Sequence, residues 1–248
     1  MRTNLRRLIS ALVVVGLLYT VAAGAEKQPR KNRQRPLNSL TKKQQKEGWK
    51  LLFDGKTLDH FKPVKGDEIP PQAWKVVDGT IISPWKDQRE ANVGGSIVTK
   101  QQYGQFEFRL QYKLDDSRKT VNSGIKYFNY PGTELGLEYQ LYTPGAGSPK
   151  HAVGDLYALF ASKQDVARPD GKWNSVRIIA KGKKVEHWLN NTKILEVERG
   201  SDEFRKAVAE SKFKDIENFG EPEKGHILLQ DHGGGMAFRN IMIKPLDE

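Results

Sequence analysis

The sequence contains no cysteine, which excludes disulfide bonds, thiolate nucleophiles and cysteine-based zinc sites. It also lacks the motifs of three other enzyme classes. No G-x-S-x-G run suits a serine nucleophile, and no G-x-G-x-x-G run suits a dinucleotide. No E-x-D-x-E or E-x-D-x-x-E run supplies the paired carboxylates of a retaining glucanase. The fold must therefore be stabilised by burial alone, and catalysis falls to other side chains.

A basic domain surface is absent as well, although the formal net charge is +11. Residues 1–50 hold 12 Lys and Arg against 2 Asp and Glu, whereas residues 51–248 hold 29 against 28. The excess positive charge thus belongs to the N-terminal segment. Because nucleic-acid-binding domains concentrate basic residues on one face, the sequence predicts no nucleic-acid partner.

The N-terminal segment has the pattern of a cleavable signal peptide. Three arginines in the first seven residues precede a mostly apolar run of 14 residues at 8–21, and small residues follow at 23–25. A membrane-spanning helix needs roughly 20 apolar residues, so this run is too short to be an anchor. We therefore predict a signal peptide over 1–25 and a secreted or periplasmic protein, with membrane contact only before cleavage.

Residues 26–47 are predicted to form a basic flexible linker that ends in a short helix. The first part of this segment is basic and has almost no apolar residue to bury. Thr41, with Gln44 three residues later, has the spacing of a capping box at the start of a helix. The sequence therefore predicts that the folded domain covers 48–248.

Short β-type runs dominate this domain. They alternate with Gly, Pro, Asn and Asp turn signals, and apolar residues occupy every second position of 105–114. Helical spacing appears in 202–213, which predicts an inserted helix. Roughly a dozen short strands with two short helices predict two packed antiparallel sheets.

Two of the predicted strands carry rows of polar side chains on one face. Alternation in 135–143 places three of them opposite the core, namely Glu138, Gln140 and Tyr142. In 225–232 the same alternation places Gln230 and His232 on one face and Asp231 on the other. Carboxylate, amide and imidazole groups in such rows favour the recognition of a hydroxyl-rich ligand.

Several segments together resemble one known family, the 3-keto-disaccharide hydrolases. They are GWKLLFDGKTLDHF at 48–61, WKVVDGTI at 74–81, NSGIKYF at 122–128, LEYQLY at 137–142, GKWNSVRIIAKGKKVEHWLNN at 171–191 and LLQDHGGGMAFRNIMIKPL at 228–246. The resemblance implies an all-β, concanavalin A-like jelly-roll sandwich. It also implies an exported enzyme that acts on glycosides already oxidised to a ketone at carbon 3 of the sugar.

A ketone at carbon 3 acidifies the hydrogen at carbon 2, so a base can remove that proton and the substituent at carbon 1 can then leave. This reaction needs a base, donors for the enediolate oxygen and an acid for the leaving group. We predict that Glu138 is the base in a polar cleft on the concave sheet. His232 is the rival base, and as imidazolium it could instead stabilise the oxyanion or protonate the leaving group.

Six further residues are predicted to bind the substrate. They are Asn122, Gln140, Tyr142, Gln230, Asp231 and Arg239. No cofactor is predicted and no metal-binding residue is assigned, although a divalent ion that polarises the ketone is left open. A separate sugar 3-dehydrogenase is expected to supply the keto sugar. The alternative function is a carbohydrate-binding, lectin-like module without turnover, because the same fold and polar face would serve it.

Overall fold

The structure is a computed structural model that describes residues 36–246. The predicted signal peptide, 1–25, and the first part of the predicted linker, 26–35, lie outside the described residues. In the described part, no helix is long and apolar enough to cross a membrane.

Within residues 36–246 the chain forms two α-helices, one short 3₁₀ helix at Lys86–Gln88 and thirteen strands. The helices are α1 (Lys42–Lys46) and α2 (Asp202–Ala209). The strands are β1 (Lys50–Leu51), β2 (Phe61–Pro63), β3 (Lys75–Val77), β4 (Thr80–Ser83), β5 (Ile97–Thr99), β6 (Phe106–Leu114), β7 (Asn122–Asn129), β8 (Leu137–Tyr142), β9 (Asn174–Lys181), β10 (Lys184–Leu189), β11 (Thr192–Glu198), β12 (His226–Leu229) and β13 (Met236–Pro245).

These strands form two antiparallel sheets. The eight-stranded sheet has the order β11-β10-β9-β6-β13-β4-β3, and β1 also pairs with β13. The five-stranded sheet has the order β2-β5-β12-β7-β8. The predicted all-β, concanavalin A-like sandwich with short helices is therefore confirmed.

The core lies between the two sheets and follows the alternation of the strands. In β6 every second residue is buried, beginning with Phe106. From the five-stranded sheet, Tyr127 and Tyr139 enter the same core. His187 of β10 lies between them, with Nε2 at 2.8 Å from the Tyr127 hydroxyl and Nδ1 at 2.9 Å from the Gly154 carbonyl oxygen. Burial lowers the pKa of His187 to about 4, so this histidine is a neutral structural group.

Residues upstream of 48 also contact the folded domain. The predicted capping box is present, because the Gln44 N–H donates to the Thr41 hydroxyl and the Thr41 N–H donates to the Gln44 side chain. Upstream of α1, Asn38 and Asn240 exchange two hydrogen bonds between backbone N–H and side-chain oxygen, at 2.7 and 2.8 Å. Asn38 also donates to the Gly79 carbonyl oxygen. Asn38, a residue of the predicted linker, is thus hydrogen-bonded to β13 of the eight-stranded sheet.

The segment 199–222 contains the helix that the sequence predicts as an insertion, and it packs at the start of β8. Ser201 caps α2, as its hydroxyl accepts from the Phe204 N–H at 3.2 Å. The Phe204 ring is fully buried and stacks on Phe160. Gly220 approaches so closely that an added Cβ would lie 2.6 Å from Leu137. The predicted helix is confirmed, and its packing fixes this segment beside the strand that carries Glu138.

Candidate active site

The polar side chains predicted on β8 lie on the outer face of the five-stranded sheet. Leu137, Tyr139 and Leu141 point into the core, so Glu138 and Gln140 point away from it. Strand β7 pairs with β8 in a register that places Lys126 opposite Glu138 and Gly124 opposite Gln140. Both polar residues of β8 therefore face groups on β7.

Glu138 is a buried carboxylate on this face. Its residue exposure is 7% and its Oε2 lies 3.6 Å from the Lys126 ammonium nitrogen. Burial raises the pKa of Glu138 above its ordinary value, although the charges of Lys126 and Lys212 act in the opposite direction. A carboxyl group with a raised pKa is suited to proton abstraction near neutral pH.

Glycine at position 124 makes room for that carboxylate. A Cβ added to Gly124 would lie 2.3 Å from Glu138 Oε1 and 2.8 Å from its carboxyl carbon. Real Cβ atoms do not approach so closely, so any larger residue here would displace the Glu138 side chain. The Glu138 carboxylate can therefore occupy its position because Gly124, in the NSGI segment, has no side chain.

Two buried amides flank Gly124 and present unused oxygen atoms. The Gln140 amide nitrogen donates to Asn122 Oδ1 at 3.1 Å, and the backbone N–H of Gln230 donates to the Gly124 carbonyl oxygen at 3.0 Å. The side-chain oxygens of Gln140 and Gln230 are buried and have no hydrogen-bond partner within the described residues. A buried polar atom without a partner costs about 1–3 kcal/mol. Both positions thus suit ligand hydroxyl groups, which donate.

This arrangement changes the predicted role of Gln140. The sequence allowed its amide to donate to a ketone oxygen; in the structure one of its two N–H bonds donates to Asn122, and its oxygen has no partner within the described residues. Asn122 in turn pairs across the sheet with Tyr142, the half-buried last residue of β8. Glu138 and Gln140 share one face of β8, as the alternation predicts, and the structure adds Asn122 through its contact with Gln140.

His232 lies beyond the end of β12 and is exposed. Its pKa lies below the ordinary value, first because of partial burial and then because of the Lys86 and Lys126 charges. The charge of Glu134, in the loop between β7 and β8, acts on it in the opposite direction. The charge of Lys126 therefore acts on the His232 imidazole. This imidazole is predominantly neutral near neutral pH, because its pKa is lowered.

Asp231 was predicted to bind the substrate, but the structure places it in a buried ion pair. Its Oδ2 lies 2.7 Å from Arg89 Nη1 and also accepts from the Gly95 N–H at 2.9 Å. Both side chains are almost fully buried, at 0% and 1% exposure. Burial alone would raise the pKa of Asp231, yet Arg89 and Gly95 hold it below its ordinary value. Asp231 therefore fastens the 84–95 segment to the end of β12.

Arg239 was also predicted near this site, but it lies on the other sheet. It belongs to β13, where its guanidinium carbon lies 3.9 Å from the ring centre of Trp173 and its Nε donates to Gln111. Its neighbour Phe238 points into the core, so Arg239 points outward from the eight-stranded sheet. The core of the sandwich separates Arg239 from Glu138, and the two cannot share a ligand.

Three residues at this face were not predicted from the sequence. Lys126 and Gly124 share the parity of Asn122 in β7, so strand alternation alone could have identified them. Lys212 belongs to the segment 199–222, and its ammonium lies 4.3 Å from the ring centre of Tyr157. The Tyr157 N–H donates to the Glu138 carbonyl oxygen, which brings Lys212 close to the site. No local sequence signal places Lys212 there.

Cavity volume does not single out this face. A cavity of about 430 Å³ lies between 63–65, 94–96 and 132–134, beside the loop that covers Lys126. Others of about 520 and 260 Å³ lie beside Trp85 and against Trp188 of the eight-stranded sheet. Residues 36–246 contain no group of three or more His, Asp or Glu side chains that could hold a metal ion. The chemistry of the side chains, more than volume, identifies the candidate site.

Known proteins resemble this chain over most of its length. The family described as 3-keto-alpha-glucoside-1,2-lyase-like domain matches residues 48–244. A protein of Bacteroides thetaiotaomicron named 3-keto-disaccharide hydrolase is 27% identical over 234 residues, which is 81% of this chain and 79% of that protein. The family match includes all of the strands that build the candidate site.

Solved structures agree with this relationship. A proposed glycosyl hydrolase from Parabacteroides distasonis superposes with a TM-score of 0.75 at 28% identity, covering 86% of this chain and all of that one. A second from the same organism gives a TM-score of 0.61 at 28% identity, covering 80% of this chain and 99% of that one. The two-sheet architecture is therefore shared with experimentally determined structures.

Proposed function

Because the chain belongs to the 3-keto-alpha-glucoside-1,2-lyase-like family, we propose that it cleaves glycosides oxidised to a ketone at carbon 3. The resemblance identified from the sequence is confirmed by this match. The names of the relatives support glycoside cleavage. The proposal adds a keto sugar as the substrate and a mechanism of elimination.

The single observation that carries the mechanism is the buried Glu138 carboxylate. It lies on a sheet face beside one cation, and burial raises its pKa. In the proposed reaction Glu138 removes the proton at carbon 2. The electron pair moves toward the ketone oxygen, and its return expels the substituent at carbon 1. Water can then add to the unsaturated sugar.

The two unused amide oxygens support a carbohydrate ligand. Gln140 and Gln230 lie on either side of Gly124, and their free oxygens accept from hydroxyl groups. A sugar that keeps its other hydroxyls can satisfy both. We assign Asn122 to holding Gln140, and Tyr142 to the rim of the same face.

His232 is proposed as the group that protonates the leaving aglycone or relays that proton. Its pKa lies below the ordinary value, so it is mostly neutral near neutral pH. A neutral imidazole can accept a proton from Glu138 or water and pass it on. We also propose that the protein acts after export, as the segment 1–25 predicts, and that a separate dehydrogenase supplies the keto sugar.

The test is the release of aglycone from a 3-keto-glucoside and from its unoxidised parent, in deuterated water with and without a chelator. We expect release from the keto sugar alone, and deuterium at carbon 2 in recovered substrate or product. Glu138→Gln should lower the rate strongly. Glu198→Gln is the matched control, because this carboxylate is exposed on β11 of the other sheet and should leave the rate near that of the wild type.

The opposite result would favour the binding-module alternative. Saturable binding of the parent glycoside, with no release from either compound, would leave a lectin-like site and refute the enzyme. Loss of all activity in the presence of chelator would show that the reaction requires a metal ion.

A further inference from the structure

Lys126 is the buried cation nearest to the candidate base. Its side chain is 10% exposed, that of Glu138 is 8% exposed, and the two residues face each other across β7 and β8. The ammonium donates to the Glu134 carbonyl oxygen at 2.9 Å. This bond fixes the end of a long, otherwise flexible side chain over the sheet.

Lys126 retains donor capacity that the protein does not use. An ammonium group has three N–H bonds, and the Glu134 carbonyl takes one of them. The distance of 3.6 Å to Glu138 Oε2 is longer than an ordinary N–H···O hydrogen bond, which spans about 2.7–3.2 Å. The interaction with Glu138 is therefore mainly electrostatic, and an N–H can turn toward a ligand on the same face.

The proposed reaction needs such a donor. When the carbon 2 proton moves to Glu138, the C–H electron pair forms a carbon 2–carbon 3 double bond and leaves negative charge on the ketone oxygen. The partnerless oxygens of Gln140 and Gln230 are acceptors and would repel that charge, and the neutral N–H donors of these amides offer no full positive charge to balance it. Lys126 offers both a donor and a full positive charge within reach of the base.

We infer that Lys126 binds the ketone oxygen of the substrate and stabilises the enediolate that forms on deprotonation. Lys126 is then a catalytic residue in its own right, and the inference rests on the proposed function. The charge on the oxygen disappears when the carbonyl re-forms. The carbon 1–oxygen bond then breaks with its electron pair, and the aglycone oxygen takes up a proton. No oxidant, reductant or further reactant is needed.

A structural ion pair with Glu138 is the competing explanation, and pH separates the two. Removing Lys126 also raises the pKa of Glu138, because a cation that lowers it is lost. This indirect effect vanishes on the alkaline plateau of the pH profile, where Glu138 is ionised in every variant. Loss of an oxyanion donor persists there.

The experiment compares wild type, Lys126→Met, Lys126→Arg and the control Lys62→Met. Lys62 is exposed on β2 of the same sheet and pairs with Val98, away from Glu138. We expect Lys126→Met to lower kcat on the alkaline plateau by about 10²–10³-fold, as for loss of one oxyanion donor. Deuterium exchange at carbon 2 should fall in parallel. Binding of the unoxidised parent should persist, and Lys126→Arg should recover part of the rate.

Each contrary outcome has a distinct meaning. If the Lys126→Met rate returns to that of wild type at high pH, Lys126 acts only on the pKa of Glu138 and the inference is overturned. If borohydride traps a covalent Lys126–sugar adduct, Lys126 forms an iminium with the ketone, and its role as a hydrogen-bond donor is refuted. Loss of parent binding and of thermal stability in both Lys126 variants would show a structural role. If wild type itself is inert toward 3-keto-glycosides, the proposed function fails first.

Discussion

Replacing Gly124 by alanine tests whether the position of Glu138 matters. The new Cβ would lie 2.3 Å from Glu138 Oε1, whereas ordinary van der Waals contact begins at 3.4 Å. The carboxylate oxygen must therefore retreat by about 1 Å, and a misplacement of that size can cost about 100-fold in rate. The backbone of Gly124 is not left-handed, so alanine itself is tolerated at this strand position.

Two measurements separate the effect on the site from an effect on the fold. Overpacking costs about 1–3 kcal/mol, so the Gly124→Ala domain should stay folded in a urea titration while aglycone release falls by about two orders of magnitude. Glu138→Gln in the Gly124→Ala background should lower the rate far less than it does alone, because the two changes disable one function.

The reasoning fails if Gly124→Ala releases aglycone at the wild-type rate. In that case either the carboxylate has room to move without loss or Glu138 is not the base. Additive effects in the double variant would contradict the same argument, because they would mean that Gly124 acts on something other than Glu138.

Three further predictions follow from the titratable groups. The acid limb of kcat/KM should lie above pH 4.5, because burial raises the pKa of the base Glu138, and Lys212→Ala should move it higher in low salt by removing an opposing charge. Arg89→Met should destabilise the domain by about 3–5 kcal/mol in urea, since it leaves Asp231 buried and unpaired, whereas replacing both with apolar residues should cost much less. The free energy of unfolding should fall by up to about 3 kcal/mol from pH 6.5 to 4. The pKa of His187 is lowered from 6.5 to about 4 in the folded protein, so the unfolded chain binds the proton more tightly. His187→Gln should make the free energy of unfolding depend less on pH in this range.

The fold was predictable where a strand carries a strict period of two. Strand β6 alternates buried and half-buried residues along its whole length, as its sequence indicates. The same rule placed Glu138 and Gln140 on one face of β8. The helix α2 was predicted from helical spacing, but where it packs depends on the distant residues Phe160 and Leu137.

The site was predicted less completely because alternation assigns a face within one strand and says nothing about which sheet a strand joins. Arg239 and Glu138 both occupy outward positions, yet they belong to β13 and β8 on opposite sides of the sandwich. Asp231 also illustrates this limit. Its partner Arg89 is 142 residues away in the chain, so no local pattern revealed the ion pair.

Strand β8 combines the candidate base with residues of the core in only six positions, Leu137–Tyr142. Inserting or deleting one residue inside it would exchange its two faces, and Glu138 would then point into the sandwich while leucine faced the ligand. Such a change would destroy activity and folding together. Within β8 only substitutions keep both faces intact, whereas a change of chain length in a connecting segment leaves the alternation of the strands unchanged.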